Sequence, residues 1–252
     1  MYKTCLNILL LFSFTHCKND EASIIKKHPL TPHILHPTYL ISQMTIKDPE
    51  AKQEEIIQYK YDSLNRITEV QLGISTVYHS YDKNNNLIKK KHIFKEYKYF
   101  NTQDSLVYSD QEIKIFSTGN KKYFVPKIYR LKLNSSGLVT EMRADKFRSV
   151  SNEYDNDANL KTERLYINGK CTKTNFQYDN KHSPFINITG HDPRIIPQKN
   201  NIIKQTIYDC NSNKVKNIIT YAYEYNDDGY PTQKKEKRDT KEIITTYQYI
   251  IK

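Results

Sequence analysis

Between Tyr59 and Tyr249 the chain alternates apolar and polar residues with a period of two, and no long helical stripe competes with that pattern. The alternating stretches are six to eight residues long and are interrupted by short polar runs. The recurring unit is a strand ending Tyr-x-Tyr-Asp, a turn, and a return strand led by Leu or Ile. Its clearest copies are Tyr59–Ile67 (YKYDSLNRI), His79–Ile88, Leu131–Val139, Asn152–Leu160, Phe176–Phe185 and Tyr223–Pro231, with Tyr97-Lys98-Tyr99 and Tyr247-Gln248-Tyr249 as further strand halves. Side chains alternate across a strand, so both rings of Tyr-x-Tyr share one face. Lys60, Glu153, Gln177 and Glu224 then point to the other face, into water.

The turns support this. Asp62, Asp82, Asn134, Asp155, Asp179 and Asn226 open them. A short polar side chain there accepts hydrogen bonds from the backbone ahead and favours a type I turn. Three residues on stand Asn65, Asn85, Gly137 and Gly229. These types tolerate the left-handed conformation of a bulged hairpin turn. Ala158 and His182 break the rule, so those two turns are expected to be built differently. The repeat period of about 20 to 24 residues suits one hairpin per unit.

These YDxxGxL-like units resemble the YD repeats of Rhs-type bacterial proteins, and the YDNKHSPF segment resembles a repeat of uncharacterised Bacteroidota lipoproteins. Large Rhs proteins wrap dozens of units into a closed shell. This chain has about eight, which reads as too few to enclose a cargo. The expected fold is therefore all-β: an open, twisted antiparallel sheet of consecutive β-hairpins over residues 38–252. The resemblance brings no catalytic residues with it.

The N-terminal region carries an address. Lys3 precedes a short apolar run, Leu6–Phe14, and then Cys17 followed by Lys18-Asn19-Asp20-Glu21. The run is too short to span a bilayer. An apolar stretch ending at Cys resembles a lipobox, which implies a signal peptide over 1–16 and a diacylated Cys17. The polar, acidic residues after it resemble a surface-export signal. His16 departs from the small residue usual before the Cys; a plain secretory signal is the alternative. Residues 17–37 carry Pro29, Pro32 and Pro37 and read as a flexible tether. The implied location is the cell envelope, on an outer membrane. Cys5 leaves with the signal, so Cys171 and Cys210 remain. They either bridge, closing a loop worth about 4 kcal/mol, or stay as two buried thiols.

Composition narrows the function classes. With 21 tyrosines and 12% aromatic residues the chain is too rich in aromatics for a disordered one, although its mean hydropathy is −0.77. The net charge of +11 comes from lysines scattered along strands rather than gathered in a block. With export, this speaks against nucleic acid as a partner. No nucleophile elbow, zinc motif, P-loop or dinucleotide fingerprint is present. His191-Asp192 lacks a serine partner and reads as a loop pair, and His28, His33 and His36 lack ligand spacing. Asp155 with Asp157, or Asp227 with Asp228, offers too few ligands for calcium. Asn187-Ile188-Thr189 is a chance sequon. No catalytic residue, cofactor or metal is assigned.

The expectation is a non-enzymatic, membrane-tethered binding or structural module, with an acidic glycan or an envelope protein as partner. Its ligand platform would be Tyr221, Tyr223, Tyr225, Tyr247 and Tyr249, beside Lys234, Lys235, Lys237 and Arg238. The alternative for these rings is the packed face of the sheet. The alternative function is an enzyme or toxin-related protein with an unrecognised active site.

Overall fold

The computed structural model describes residues 37–252 except 52, 145 and 197. The signal, Cys17 and the tether lie outside the described residues. Sixteen strands follow one another: β1 Tyr39–Lys47, β2 Glu55–Tyr61, β3 Ile67–Leu72, β4 Ser75–Tyr81, β5 Leu87–Phe94, β6 Thr102–Tyr108, β7 Glu112–Gly119 and β8 Lys127–Leu133. Then come β9 Val139–Arg143, β10 Arg148–Tyr154, β11 Leu160–Ile167, β12 Lys170–Tyr178, β13 Ile202–Asp209, β14 Val215–Tyr225, β15 Pro231–Arg238 and β16 Lys241–Ile251. Each pairs antiparallel with its chain neighbours, and β1 pairs with β16 from Tyr39↔Ile251 to Lys47↔Ile244.

The sheet is thus a closed barrel, which corrects the open sheet expected from the YD-repeat resemblance. Eight hairpins suffice once each one curves the same way, and closure removes both exposed strand edges. The curving device is visible in the register. A bulge follows the turn in the hairpins β2–β3, β4–β5, β8–β9, β10–β11 and β14–β15, always beside the last aromatic or leucine of the first strand. Bulges increase local twist and bend the strand, so a bulge repeated at one end coils the whole sheet.

The turns match their sequence signature. Asp62 Oδ1 accepts from the amides of Leu64 and Arg66, and Asp82, Asn134 and Asp155 repeat the pattern. Asn65, Asn85, Gly137 and Gly229 all have positive φ. Ala158 occupies the same position with φ of 64°, so its turn is built like the others despite the residue. His182 marks a real difference: between β12 and β13 the five-residue turn is replaced by residues 179–201. Tyr97-Lys98-Tyr99 is no strand half; Lys98–Phe100 forms a single 3₁₀ turn between β5 and β6.

The barrel has a polar outside and a mainly apolar inside. Outward cross-strand pairs include Lys60–Glu69, Lys132–Glu141, Arg164–Glu153 and Gln233–Glu224. A bilayer-spanning barrel needs an apolar outer band, where lysine or arginine costs several kcal/mol at mid-depth. The outer wall here mixes charged and amide side chains with scattered exposed apolar residues such as Ile56, Val107, Ile128 and Ile218. Inside, Leu87, Leu106, Ile113, Ile115, Leu131 and Val139 form one apolar cluster, and Leu40, Ile41 and Ile188 form another.

Candidate functional site

The repeated tyrosines are seam ties. Tyr61, Tyr81, Tyr108, Tyr154, Tyr178, Tyr223 and Tyr249 each donate a hydroxyl hydrogen bond to a backbone carbonyl of the preceding strand. The acceptors are Ile41, Ile67, Leu87, Val139, Leu160, Ile202 and Pro231, at 2.6–3.0 Å. Six of them are the first residue of their strand, where the bulge leaves a carbonyl free. The donor and acceptor belong to different hairpins, so the hydroxyls tie one repeat to the next. Burial pushes the Tyr154 and Tyr108 phenols up to about 12, and keeps them as donors.

The five C-terminal tyrosines of the expected platform face the barrel interior. Tyr223 and Tyr249 serve as ties, Tyr225 donates to Asp179, and Tyr221 sits under the Lys234 ammonium at 5.7 Å. Tyr221, Tyr223 and Tyr247 line a cavity of about 230 Å³ together with Lys234 and Glu236. The rings therefore form no outward platform. Of the neighbouring cations, Lys234 and Arg238 pair with Glu236, which is buried. Cys171 and Cys210 are bonded, Cα to Cα 5.3 Å, tying β12 to the end of β13. Of the paired turn acids, Asp155 spends a carboxylate oxygen on turn amides, Asp157 pairs with Lys199, and Asp228 accepts from the Tyr39 hydroxyl. No group of acidic, His or Cys side chains able to hold a metal is found among the described residues.

Residues 179–201 fold back into the barrel as a plug. Its base is closed by Asp179 N–H to Asn201 O and by Asn201 to the Asp179 carboxylate. Phe185 meets the Tyr59 ring edge-on, and Ile188 joins Leu40 and Ile41. The Asn187 amide donates to Tyr39 O and Tyr230 Oη, while Thr189 reaches Leu64 and Asn65 in the first turn. Gln198 Oε1 accepts from Leu160 N. Gly190 lies against Tyr81: a Cβ there would stand 2.4 Å from the ring, and its φ is +65°. Only glycine fits that position.

Across the barrel, the plug ends in an ion network. Asp192 accepts from Lys90 Nζ at 2.5 Å and from Arg194, and Arg194 also reaches Asp104 at 2.5 Å. Ser117 donates to Asp104, and the Arg194 guanidinium lies 5.5 Å from the Tyr129 ring centre. Two acids face two cations, so the network is balanced. Burial opposes ionisation of Asp192, but Arg194 and Lys90 outweigh it and hold the carboxyl well below its usual range. The pair read in the sequence as an ordinary loop His-Asp thus contains the plug's main anchor. Asp104, Lys90 and Arg194 were not singled out; inward phase on β6 and β5 was the available signal.

Between plug and wall lies a cavity of about 360 Å³. Ile67, Val70, Leu72, Val77, Phe185 and Ile195 give it apolar sides, and His79, Lys90 and Asp192 give it one polar corner. His79 Nδ1 is buried with no hydrogen-bond partner. Burial, and secondarily the Lys90 charge, push the imidazole down to about 4, so it is neutral at pH 7. The cavity is within the size range of small-molecule sites. It offers mainly apolar contact, with His79, His191, Ser183 and Gln198 among its polar lining, and its Lys90 and Asp192 charges pair with each other.

No family model matches the chain, and no curated protein matches it in sequence. The YD-repeat assignment is therefore withdrawn on both the closed fold and the missing family match. Solved structures with a similar fold include a porin-like protein from Bacteroides vulgatus ATCC 8482, at 12% identity and TM-score 0.48 over 84% of this chain and 99% of that one. A porin-like protein from Bacteroides uniformis ATCC 8492 aligns at 13% identity and TM-score 0.40, over 83% and 98%. Neither likeness bears on what this chain does.

Proposed function

We propose that this protein is a non-enzymatic binding barrel of the cell envelope, standing outside the bilayer and tethered to an outer membrane through a lipid on Cys17. Its interior holds a small, uncharged, mainly apolar molecule beneath the plug. The observation that carries this reading is the apolar 360 Å³ cavity with the unpartnered His79 at its polar corner. A buried polar atom without a partner costs about 1–3 kcal/mol, and a ligand hydroxyl or carbonyl would relieve that. Enzymatic chemistry finds no support at this corner, because Lys90 and Asp192 are consumed by each other.

The test uses N-phenyl-1-naphthylamine, a neutral fluorescent apolar probe. The protein is expected to bind it with enhanced emission, and Val70→Phe, which fills the cavity from β3, is expected to abolish binding while the melting temperature stays close to that of the parent. Absent binding, or binding that survives the filling, contradicts the reading. For the tether, Cys17→Ser should release the protein from membrane fractions and end labelling by an alkyne fatty acid. Retention with labelling unchanged contradicts it.

A further inference from the structure

At the end of the barrel opposite the Asp-led turns, two neighbouring loops carry an exposed aromatic knob. The β5–β6 loop supplies Tyr97, Tyr99 and Phe100, and the β7–β8 loop supplies Tyr123 and Val125. All are well exposed, Val125 at 76%. The rings hold one another: Tyr99 lies 4.4 Å from Phe100 and 5.0 Å from Tyr123, centre to centre. The supports are local. Asn101 Oδ1 accepts from Phe94 N, Lys122 and Phe124 amides bond to Asn120, and Phe124 packs over Gly119, where no Cβ stands in its way.

Charge surrounds the rings. Lys95, Lys98, Lys121 and Lys122 lie on the same two loops and Lys127 opens β8 beside them, all exposed, against a single acid, Glu96. We infer that this knob docks the barrel onto an anionic lipid surface. Aromatic side chains with an apolar body and polar tip seat at the headgroup boundary, and lysines beside them pair with anionic headgroups while their stems stay apolar. The ring geometry selects lipid over sugar. Stacking on a sugar needs a flat shared face, whereas these planes meet at 46° to 79° and form a wedge. The inference is independent of the interior cavity. It adds a second membrane contact to the tether, and two weak signals are what stable membrane residence ordinarily takes.

The experiment is vesicle co-sedimentation of the exported Cys17→Ser protein, which removes the lipid contribution. Phosphatidylcholine vesicles containing phosphatidylglycerol should capture it, pure phosphatidylcholine should capture little, and salt should weaken the capture. Lys98→Gln with Lys122→Gln changes only exposed charges and should weaken partition roughly 25-fold, about fivefold per lysine. Tyr99→Ser with Phe100→Ser should abolish it, with an unchanged melting curve as the control for folding. Failure of the parent to bind anionic vesicles, or binding indifferent to both variants, overturns the inference. So does knob-dependent binding to the acidic polysaccharide dextran sulfate in the absence of vesicle binding.

Discussion

His79 gives the cavity a pH signature. Its imidazole faces the plug from β4, opposite Lys90 on β5 and beside His191 and Asp192. Burial is the first cause of its low pKa, and the Lys90 charge the second; Asp192 opposes them. In the folded protein it titrates near 4, against 6.5 when exposed. The unfolded chain therefore binds the proton first as pH falls. Stability from this group is complete above about pH 6.5 and is lost progressively as pH drops toward 4. The difference of about 2.5 units corresponds to about 3 kcal/mol at 1.36 kcal/mol per unit. Replacing His79 by Leu removes the titration and the unpartnered nitrogen together. The variant should match or exceed the parent at pH 7.5, and its stability should fall about 3 kcal/mol less between pH 7.5 and 4. His92 and His191 are also held down by burial, but they are common to both proteins and cancel. Urea midpoints followed by circular dichroism at several pH values supply the comparison. Parallel curves for the two proteins would refute the placement of His79 in a closed, dry pocket.

Other expectations follow from single features. Replacing both Cys171 and Cys210 by Ser frees a loop with a sequence separation of 39 and should cost about 4 kcal/mol, read as a lower urea midpoint; an unchanged midpoint would exclude a bridge in solution. Ala158→Asn relieves a left-handed alanine in a turn whose sister positions carry Asn or Gly, and should stabilise by about 1 kcal/mol in thermal or urea melts. A loss instead would show that the β10–β11 turn is not built as described.

The local structure was legible because each repeat states it twice, in alternation and in turn chemistry. Asp62, Asp82 and Asn134 announce their turns, and Asn65 and Gly229 announce the left-handed position. Closure was not legible. Whether sixteen strands meet depends on the sum of small bends, and the repeated hairpin bulge leaves no residue signature beyond an extra position. The tyrosine face was legible, but its side was not: a half-wet sheet face and a barrel lining share the same alternation, and only closure distinguishes them. At His182 the sequence showed a turn without its left-handed residue, but not the plug that replaces it. Its partners lie up to 148 residues away, as Tyr39 does from Asn187, and no local pattern encodes such a pairing. The aromatic knob was hidden for the opposite reason, since Tyr97-Lys98-Tyr99 imitates the strand motif while belonging to a 3₁₀ turn.

The central claim is a barrel that stands in water with its apolar side inward. Nitroxide labels placed singly at Lys60, Lys132, Glu153 and Lys235 sample the outer wall around the circumference. In the full chain on its native membrane, the account predicts that all four relax with a water-soluble nickel chelate and gain little from dissolved oxygen. A ring of labels relaxed by oxygen and shielded from nickel would put that wall in lipid and contradict the account.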